Sequence, residues 1–139
     1  MFGCRGVLID GRMPGVDERP PVWVGHVVMA ATDVGRTARF WDAIGLRSVY
    51  DGDDMAIFEL RGGTHLLVFP SNAAPPGVAD PSFDMMVDDL EAIHTEWTGK
   101  GLDVSPITDG FPGGHAAFHV KDPDGNELRV YNTHVEGPV

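Results

Sequence analysis

The chain has 139 residues and a net charge of −11, and this length suits one compact domain with a core of its own. So acidic a chain repels phosphate backbones, which argues against nucleic acid as a partner. The single cysteine, Cys4, excludes an internal disulfide and favours a reducing compartment.

Residues 1–21 are rich in glycine, proline and arginine and have no sustained periodicity, so we expect an extension ahead of the folded domain. Its one short apolar run, residues 7–9, predicts at most an edge strand and is too short for the apolar region of a signal peptide. No run in the chain approaches the roughly 20 apolar residues that a membrane span needs. We therefore expect a cytoplasmic protein that does not enter the membrane.

Residues 22–70 predict a first module of one strand, one helix and three further strands. The module opens on the β-rich apolar run VWVGHVVMAA. The helix at residues 32–45 has Thr32 or Asp33 as its N-cap, and Gly45 is typical of a helix end. Short strands follow at 46–51, 55–60 and 64–70, separated by the turn-forming sequences DGDD and RGG.

A connector rich in proline and alanine, residues 71–81, leads to a second module at residues 82–134, and residues 135–139 form a tail. The second module repeats the order of the first. It has a predicted strand at 82–87, a helix at 88–101, a strand or extended run at 102–107, and strands at 115–120 and 126–131.

Four identities recur at one constant offset between the modules, at the helix start, body and end and in the next strand. The matched pairs are Asp33 with Asp89, Trp41 with Trp97, Gly45 with Gly101, and Leu46 with Leu102. We therefore predict an α+β fold of two βαβββ modules. The modules would form a curved, barrel-like mixed sheet around a central cavity.

The two-residue period of a strand assigns polar side chains to the faces opposite the apolar ones. Six polar or ionisable groups on those faces would be costly in a plain core, so they predict a ligand site. Aromatic side chains at Trp23, Phe69, Phe111 and Tyr131 could line that site or belong to the core. His94 and His134 are expected to be solvated. The six groups are His26, His65, Asp84, His115, Glu127 and Arg129.

Three stretches resemble the vicinal oxygen chelate superfamily, which includes glyoxalases, bleomycin resistance proteins and extradiol dioxygenases. They are GHVVMAATDVGRTARFWDAIGLRSV, VDDLEAIHTEWTGKGLDV and FHVKDPDGNELRVYN, and the resemblance covers about residues 22–134. It implies paired βαβββ modules, a homodimer and a small-molecule ligand. It also implies a divalent metal, held by His, Glu or Gln on equivalent strands, that polarises vicinal oxygens of a substrate.

Carried onto the first module, the resemblance assigns His26 to the ligand position of the opening strand. The ligand position in the module's last strand falls at His65 or, with a different gap, at Val68. In the second module the counterpart of His26 is Ser82, which is a poor metal ligand, and Asp84 lies two residues further along on the same face.

The final strand departs from the family pattern. The family's glutamate stands four residues after the glycine of DPDG, and that position here holds Arg129, with Glu127 two residues earlier. An arginine cannot ligate a cation and would repel one. The resemblance therefore implies three metal ligands, His26, His65 and Glu127. The metal could be Zn, Ni, Fe, Mn or Mg. Substrate contacts would come from Asp84, His115 and Arg129.

Three functions follow from these residues. The favoured one is a metal-dependent lyase, isomerase or dioxygenase that acts on a small oxygenated molecule. The second is a metal-free binding or resistance-type protein that holds an anionic ligand through Arg129 and the cavity histidines. The third is a metal-free enzyme in which His26, His65 or His115 carries protons beside Arg129.

Overall fold

The computed structural model describes residues 19–72, 82–111 and 115–133. The edge strand predicted at residues 7–9, most of the predicted connector, His134 and the tail lie outside these residues. Among the described residues, no helix is long and apolar enough to span a membrane.

The first module forms a four-stranded mixed sheet covered by one helix. Strand β1 runs parallel to β4, and β4, β3 and β2 pair antiparallel in the order β1-β4-β3-β2. The elements are β1 (His26–Ala31), α1 (Val34–Ile44), β2 (Arg47–Asp51), β3 (Ala56–Glu59) and β4 (His65–Pro70). A single 3-10 turn at Arg61–Gly63 joins β3 to β4.

The second module repeats this topology with the order β5-β8-β7-β6, and β5 again runs parallel to β8. Its elements are β5 (Met85–Val87), α2 (Leu90–Gly99), β6 (Thr108–Phe111), β7 (His115–Lys121) and β8 (Glu127–Asn132). The predicted α+β class and the two βαβββ modules are confirmed. The strands form two separate sheets, so the barrel predicted from the sequence is not closed.

The first strand starts at His26 rather than at residue 22. Residues 102–107, predicted as a strand or an extended run, form only an isolated bridge between Val104 and Val120, and β6 follows at Thr108. Pro106 interrupts that stretch because it has no N–H to donate to a neighbouring strand.

The two helices begin in the same way, which confirms the internal repeat. The carboxylate of Asp33 accepts a hydrogen bond from the Arg36 amide at 3.0 Å, and the carboxylate of Asp89 accepts one from the Ala92 amide at 3.0 Å. Gly45 ends α1 with φ at 112°, a left-handed conformation that glycine adopts without steric cost.

One apolar core joins both modules. Trp41 of α1 and Trp97 of α2 are buried, and the Trp41 ring lies 6.3 Å from the ring of Phe83, just before β5. Polar contacts also cross between the modules. Asp124, in the turn between β7 and β8, accepts hydrogen bonds from Thr32 at the end of β1. The apolar faces of the two sheets therefore pack inward, and their opposite faces carry the polar side chains.

Candidate functional site

Four ionisable side chains form one row across the outward face of the first sheet. The register pairs His26 with His65, His65 with Glu59, and Glu59 with Arg47. The rings of His26 and His65 lie 5.9 Å apart, centroid to centroid. Glu59 Oε1 accepts a hydrogen bond from Arg47 Nη1 at 3.3 Å. The first sheet therefore offers an imidazole pair beside an ion pair.

Arg129 is the centre of the outward face of the second sheet. Its Nε donates to His119 Nε2 at 3.3 Å, and its Nη1 donates to Tyr131 Oη at 3.1 Å. The pKa of Arg129 lies above its ordinary value, mainly because of the hydrogen bond and the charge interaction with Tyr131. The charge of Asp84 raises this pKa further. The guanidinium is thus positively charged at any physiological pH, with its plane fixed by two neighbours.

The contact with Arg129 also orients the His119 ring, because Nε2 accepts the hydrogen bond from the guanidinium. His119 is half-buried, and its backbone amide donates to the Ser105 hydroxyl at 2.8 Å. These two contacts hold His119 beside Arg129.

An apolar shelf adjoins Arg129 on the same face. Met86 pairs with Tyr131 in the register of β5 and β8, and its side chain is 54% exposed. The ring of His115 meets the Tyr131 ring edge-on, with centroids 5.0 Å apart. Nδ1 of His115 lies 2.8 Å from the carbonyl oxygen of Asn132, to which it donates. The shelf is therefore built from a thioether, a phenol and an oriented imidazole.

The predicted metal ligands are only partly brought together. His26 and His65 are neighbours on the first sheet, whereas Glu127 lies at the start of β8 opposite Lys121 on the second. Within residues 19–72, 82–111 and 115–133, no three His, Cys, Asp or Glu side chains converge as a metal-binding group. Two imidazoles without a third donor do not complete a zinc-type or iron-type set. The described part of one chain therefore does not fit the metal that the resemblance implies.

The predicted substrate residues share the second sheet. Asp84, His115 and Arg129 lie on one face by strand periodicity and register, although Asp84 just precedes β5. Sequence reasoning left out His119 from the site and counted Tyr131 only as a possible lining residue. The signal was present, because His119 alternates in phase with His115, and Tyr131 alternates in phase with Arg129.

Two other assignments differ from expectation. His94 is half-buried rather than solvated: its Nε2 lies 2.8 Å from the Ser105 carbonyl oxygen, and its ring packs 4.9 Å from that of Phe118. Trp23 lies before β1 and is 69% exposed, so it does not belong to the core. His94 is therefore a structural residue.

Comparison with known proteins identifies the architecture. The family model described as Glyoxalase/Bleomycin resistance protein/Dioxygenase superfamily matches residues 23–130. A comparison with curated protein sequences gives no match.

Solved structures with this fold include lactoylglutathione lyase from Agrobacterium tumefaciens, at 20% identity and a TM-score of 0.66, with 86% of this chain and 100% of that chain covered. A superfamily member from Sphaerobacter thermophilus has 17% identity and a TM-score of 0.67, with 81% and 98% covered. A bleomycin resistance determinant encoded on the transposon Tn5 has 19% identity and a TM-score of 0.62, with 82% and 100% covered. At these identities the likeness establishes a shared fold.

Proposed function

The chain belongs to the Glyoxalase/Bleomycin resistance protein/Dioxygenase superfamily, and from this membership we propose that it binds an anionic small molecule through Arg129. The observation that carries the proposal is the guanidinium oriented by His119 and Tyr131 on the outward face of the second sheet. Counted from the glycine of DPDG, Arg129 stands where the family pattern has a glutamate, so a cation occupies that position of the pattern.

The chemistry of a guanidinium favours a carboxylate or phosphate as its partner. Its planar N–H donors match two oxygens of such a group, and charge-assisted bonds of this kind are roughly twice as strong as neutral ones. Asp84 on the same face gives the site a carboxylate that disfavours a second anionic group. A ligand with one anionic group therefore suits the site better than a polyanion does.

The shelf beside Arg129 supports an apolar body for the ligand. Met86 is more than half exposed, and the Arg129 Cζ atom lies 5.9 Å from the centroid of the Tyr131 ring. Burying such a thioether and a phenol face under a ligand contributes roughly 25 cal/mol per Å² of apolar surface. The proposed ligand is thus an amphipathic monoanion, with its charge on Arg129 and its body on Met86 and Tyr131.

The test compares Arg129→Gln with Arg47→Gln, an exposed arginine on the first sheet. Isothermal titration calorimetry with benzoate, 3-phenylpropionate and phenyl phosphate should show binding to the parent protein. We expect Arg129→Gln to weaken the tightest of these about tenfold or more, while Arg47→Gln leaves its affinity unchanged. Equal affinities for Arg129→Gln and the parent would refute the arginine clamp.

A second candidate function is a metal-dependent lyase, isomerase or dioxygenase. The observation that favours it is the His26–His65 pair, which offers two imidazoles on adjacent strands in a superfamily whose members commonly bind divalent metals. Because one described chain lacks the third donor, this function requires Glu127 from a second copy of the chain, and hence a homodimer.

Metal analysis and molar mass test this candidate together. Protein purified without chelators should contain one divalent ion per chain and should elute as a dimer in light-scattering chromatography. His26→Ala and Glu127→Gln should both lose the ion, whereas the matched imidazole control, His115→Ala, should keep it. A metal-free parent protein, or a metal-loaded monomer, would exclude this candidate and leave the Arg129 proposal standing.

A further inference from the structure

A cavity of about 650 Å³ is lined by the segment before β1 and by a turn. The segment contributes residues 19–23, and the turn between β3 and β4 contributes Arg61, Gly62 and Thr64. The volume falls within the range of about 300–1,000 Å³ that is typical of small-molecule sites. Among the described residues that line the cavity, none belongs to the metal or ligand sites considered above.

Two hydrogen bonds hold the segment before β1 in place. The hydroxyl of Thr64 donates to the carbonyl oxygen of Val24, and the amide of His65 donates to the carbonyl oxygen of Gly25 at 3.0 Å. The two parts of the lining are therefore fastened to each other. The cavity is a feature of the folded domain.

The part of the lining before β1 is apolar and aromatic. Val22, Trp23 and Val24 are each more than half exposed, and the first two line the cavity together with Pro20 and Pro21. Large apolar side chains that are exposed next to one another often mark a binding surface. The exposed indole is a flat surface on which an aromatic ring can stack.

The turn supplies a second flat surface. Arg61 Nη1 and Nη2 donate to the two carboxylate oxygens of Asp88 at 3.2 and 2.7 Å, and such a bidentate pair holds the guanidinium in one plane. The Arg61 side chain is still about two-thirds exposed, so a face of the guanidinium remains open. A guanidinium packs against an aromatic ring through this flat face.

The charges around the cavity favour an uncharged ligand. The hydrogen bonds from Arg61 lower the pKa of Asp88, so its carboxylate stays ionised and balances the charge of Arg61. Arg19 also lines the cavity and is engaged in an interaction within the chain. Neither arginine therefore requires an anionic group from the ligand.

We propose that this cavity binds an uncharged planar aromatic molecule, with its ring stacked on the indole of Trp23 and in contact with the guanidinium of Arg61. A flat ring gains stacking on the indole and a cation–π contact with Arg61, whereas an aliphatic body of the same size gains only the burial of apolar surface. The site shares no residue with the Arg129 clamp, so it can hold a ligand whether or not that clamp exists.

The indole N–H groups give a direct readout. The chain has three tryptophans, and Trp41 and Trp97 are buried in the core while Trp23 is exposed. In a ¹H–¹⁵N spectrum of the full chain titrated with 2-naphthamide, the indole signal of Trp23 should move saturably. The signals of Trp41 and Trp97 should stay in place. Trp23→Phe assigns the signal, and its circular dichroism should match that of the parent.

Two ligand analogues test the chemical class. Decahydronaphthalene-2-carboxamide has the same carbon skeleton without the flat ring, and we expect it to bind about tenfold more weakly than 2-naphthamide. The anionic 2-naphthoate should bind at the Trp23 signal no more tightly than 2-naphthamide. A saturated analogue that binds as tightly as 2-naphthamide, or a tighter 2-naphthoate, overturns the proposed ligand class.

Variants test the two flat surfaces. We expect Trp23→Ala to weaken 2-naphthamide binding about tenfold; because this variant lacks the indole signal, calorimetry measures it. Arg61→Lys keeps the charge beside Asp88 but removes the planar group, and it should weaken binding about threefold. Arg129→Gln should leave the Trp23 shift unchanged. An unmoved Trp23 signal in the parent, parent-like affinity in Trp23→Ala or Arg61→Lys, or loss of the shift in Arg129→Gln overturns the site.

Discussion

Asp124 provides the most buried side-chain ion pair between the two modules, and its replacement gives the sharpest test of how the modules are held together. Its carboxylate accepts hydrogen bonds from the amide of Thr32, at 3.1 Å, and from the Thr32 hydroxyl. Arg36 Nη2 adds a contact at 3.0 Å. The Asp124 side chain is only 15% exposed, so water replaces these donors poorly.

The expected magnitude follows from these contacts. A hydrogen bond to a charged group contributes about 1.5–3 kcal/mol, and Asn at the same position keeps one acceptor oxygen for Thr32. Arg36 is 46% exposed, so its ion pair with Asp124 adds little. We expect Asp124→Asn to lower the free energy of unfolding by about 2 kcal/mol, measured by urea denaturation at pH 7.

The pH dependence gives an independent check. Burial acts to raise the pKa of Asp124, but the hydrogen bonds from the Thr32 side chain and amide, together with Arg36, outweigh it and leave the pKa below its ordinary value. A lowered folded-state pKa stabilises the fold above the unfolded-state pKa of about 3.9. This contribution disappears as the pH falls through the folded-state pKa. The stability difference between parent and Asp124→Asn should therefore shrink at acid pH.

Asp88→Asn is the matched control. Arg61 lowers the pKa of Asp88 through a hydrogen bond and its charge, as the donors of Asp124 do for that carboxyl. Both partners are about two-thirds exposed, however, and solvent screens exposed pairs. We expect no measurable change in the urea midpoint for Asp88→Asn. Equal losses in the two variants, or an Asp124→Asn deficit that persists undiminished below pH 3.9, would refute the assignment of stability to this link.

Two further predictions use matched pairs and the same urea assay. Gly45→Ala should lower the free energy of unfolding by about 1 kcal/mol because φ there is 112°. Gly99→Ala, in α2 with open space around it, should raise the free energy of unfolding by about 0.5 kcal/mol. A stability gain in Gly45→Ala would contradict the left-handed cap. Trp97 Nε1 is buried without a partner in the described chain, while Trp41 Nε1 donates to Met29 Sδ. Trp97→Phe should therefore lower the free energy of unfolding by about 1 kcal/mol less than Trp41→Phe does. Equal losses of stability in the two variants would contradict this role of the Trp41 hydrogen bond.

Local signals predicted most of the fold. Asp33 and Asp89 cap their helices as the sequence indicated, because an N-cap depends only on the next three residues. The two-residue period placed His26 and His65 on one face, and the register confirms that they are neighbours. The strand β6 was not predicted at Thr108, because residues 102–107 were open to either a strand or an extended run, and the structure shows the extended run with one bridge.

The site was harder to predict because it depends on register between strands that are distant in sequence. Periodicity shows which face a side chain takes, but the row in which it lies is set by pairing. Glu59 was therefore not considered, although it lies opposite His65 and pairs with Arg47. A cavity of about 650 Å³ lined by residues 19–23 and by the turn at Arg61 was also missed, since the sequence shows an apolar run at 22–24 but not its contact with that turn.

Register also changes how the final strand should be interpreted. Counting from the glycine of DPDG places Arg129 at the expected metal-ligand position. Counted back three residues from the parallel pair Met85–Val130, Glu127 instead corresponds to Ser82, which precedes β5, as His65 corresponds to His26 in the first module. Arg129 then corresponds to Leu67, one step further along the face. An arginine at that position leaves the Glu127 carboxylate in place. An anion-binding site at Arg129 and a metal site completed by Glu127 of a second copy can therefore occupy different rows of the sheet. The two candidate functions are therefore separable by substitution at Arg129 and at Glu127.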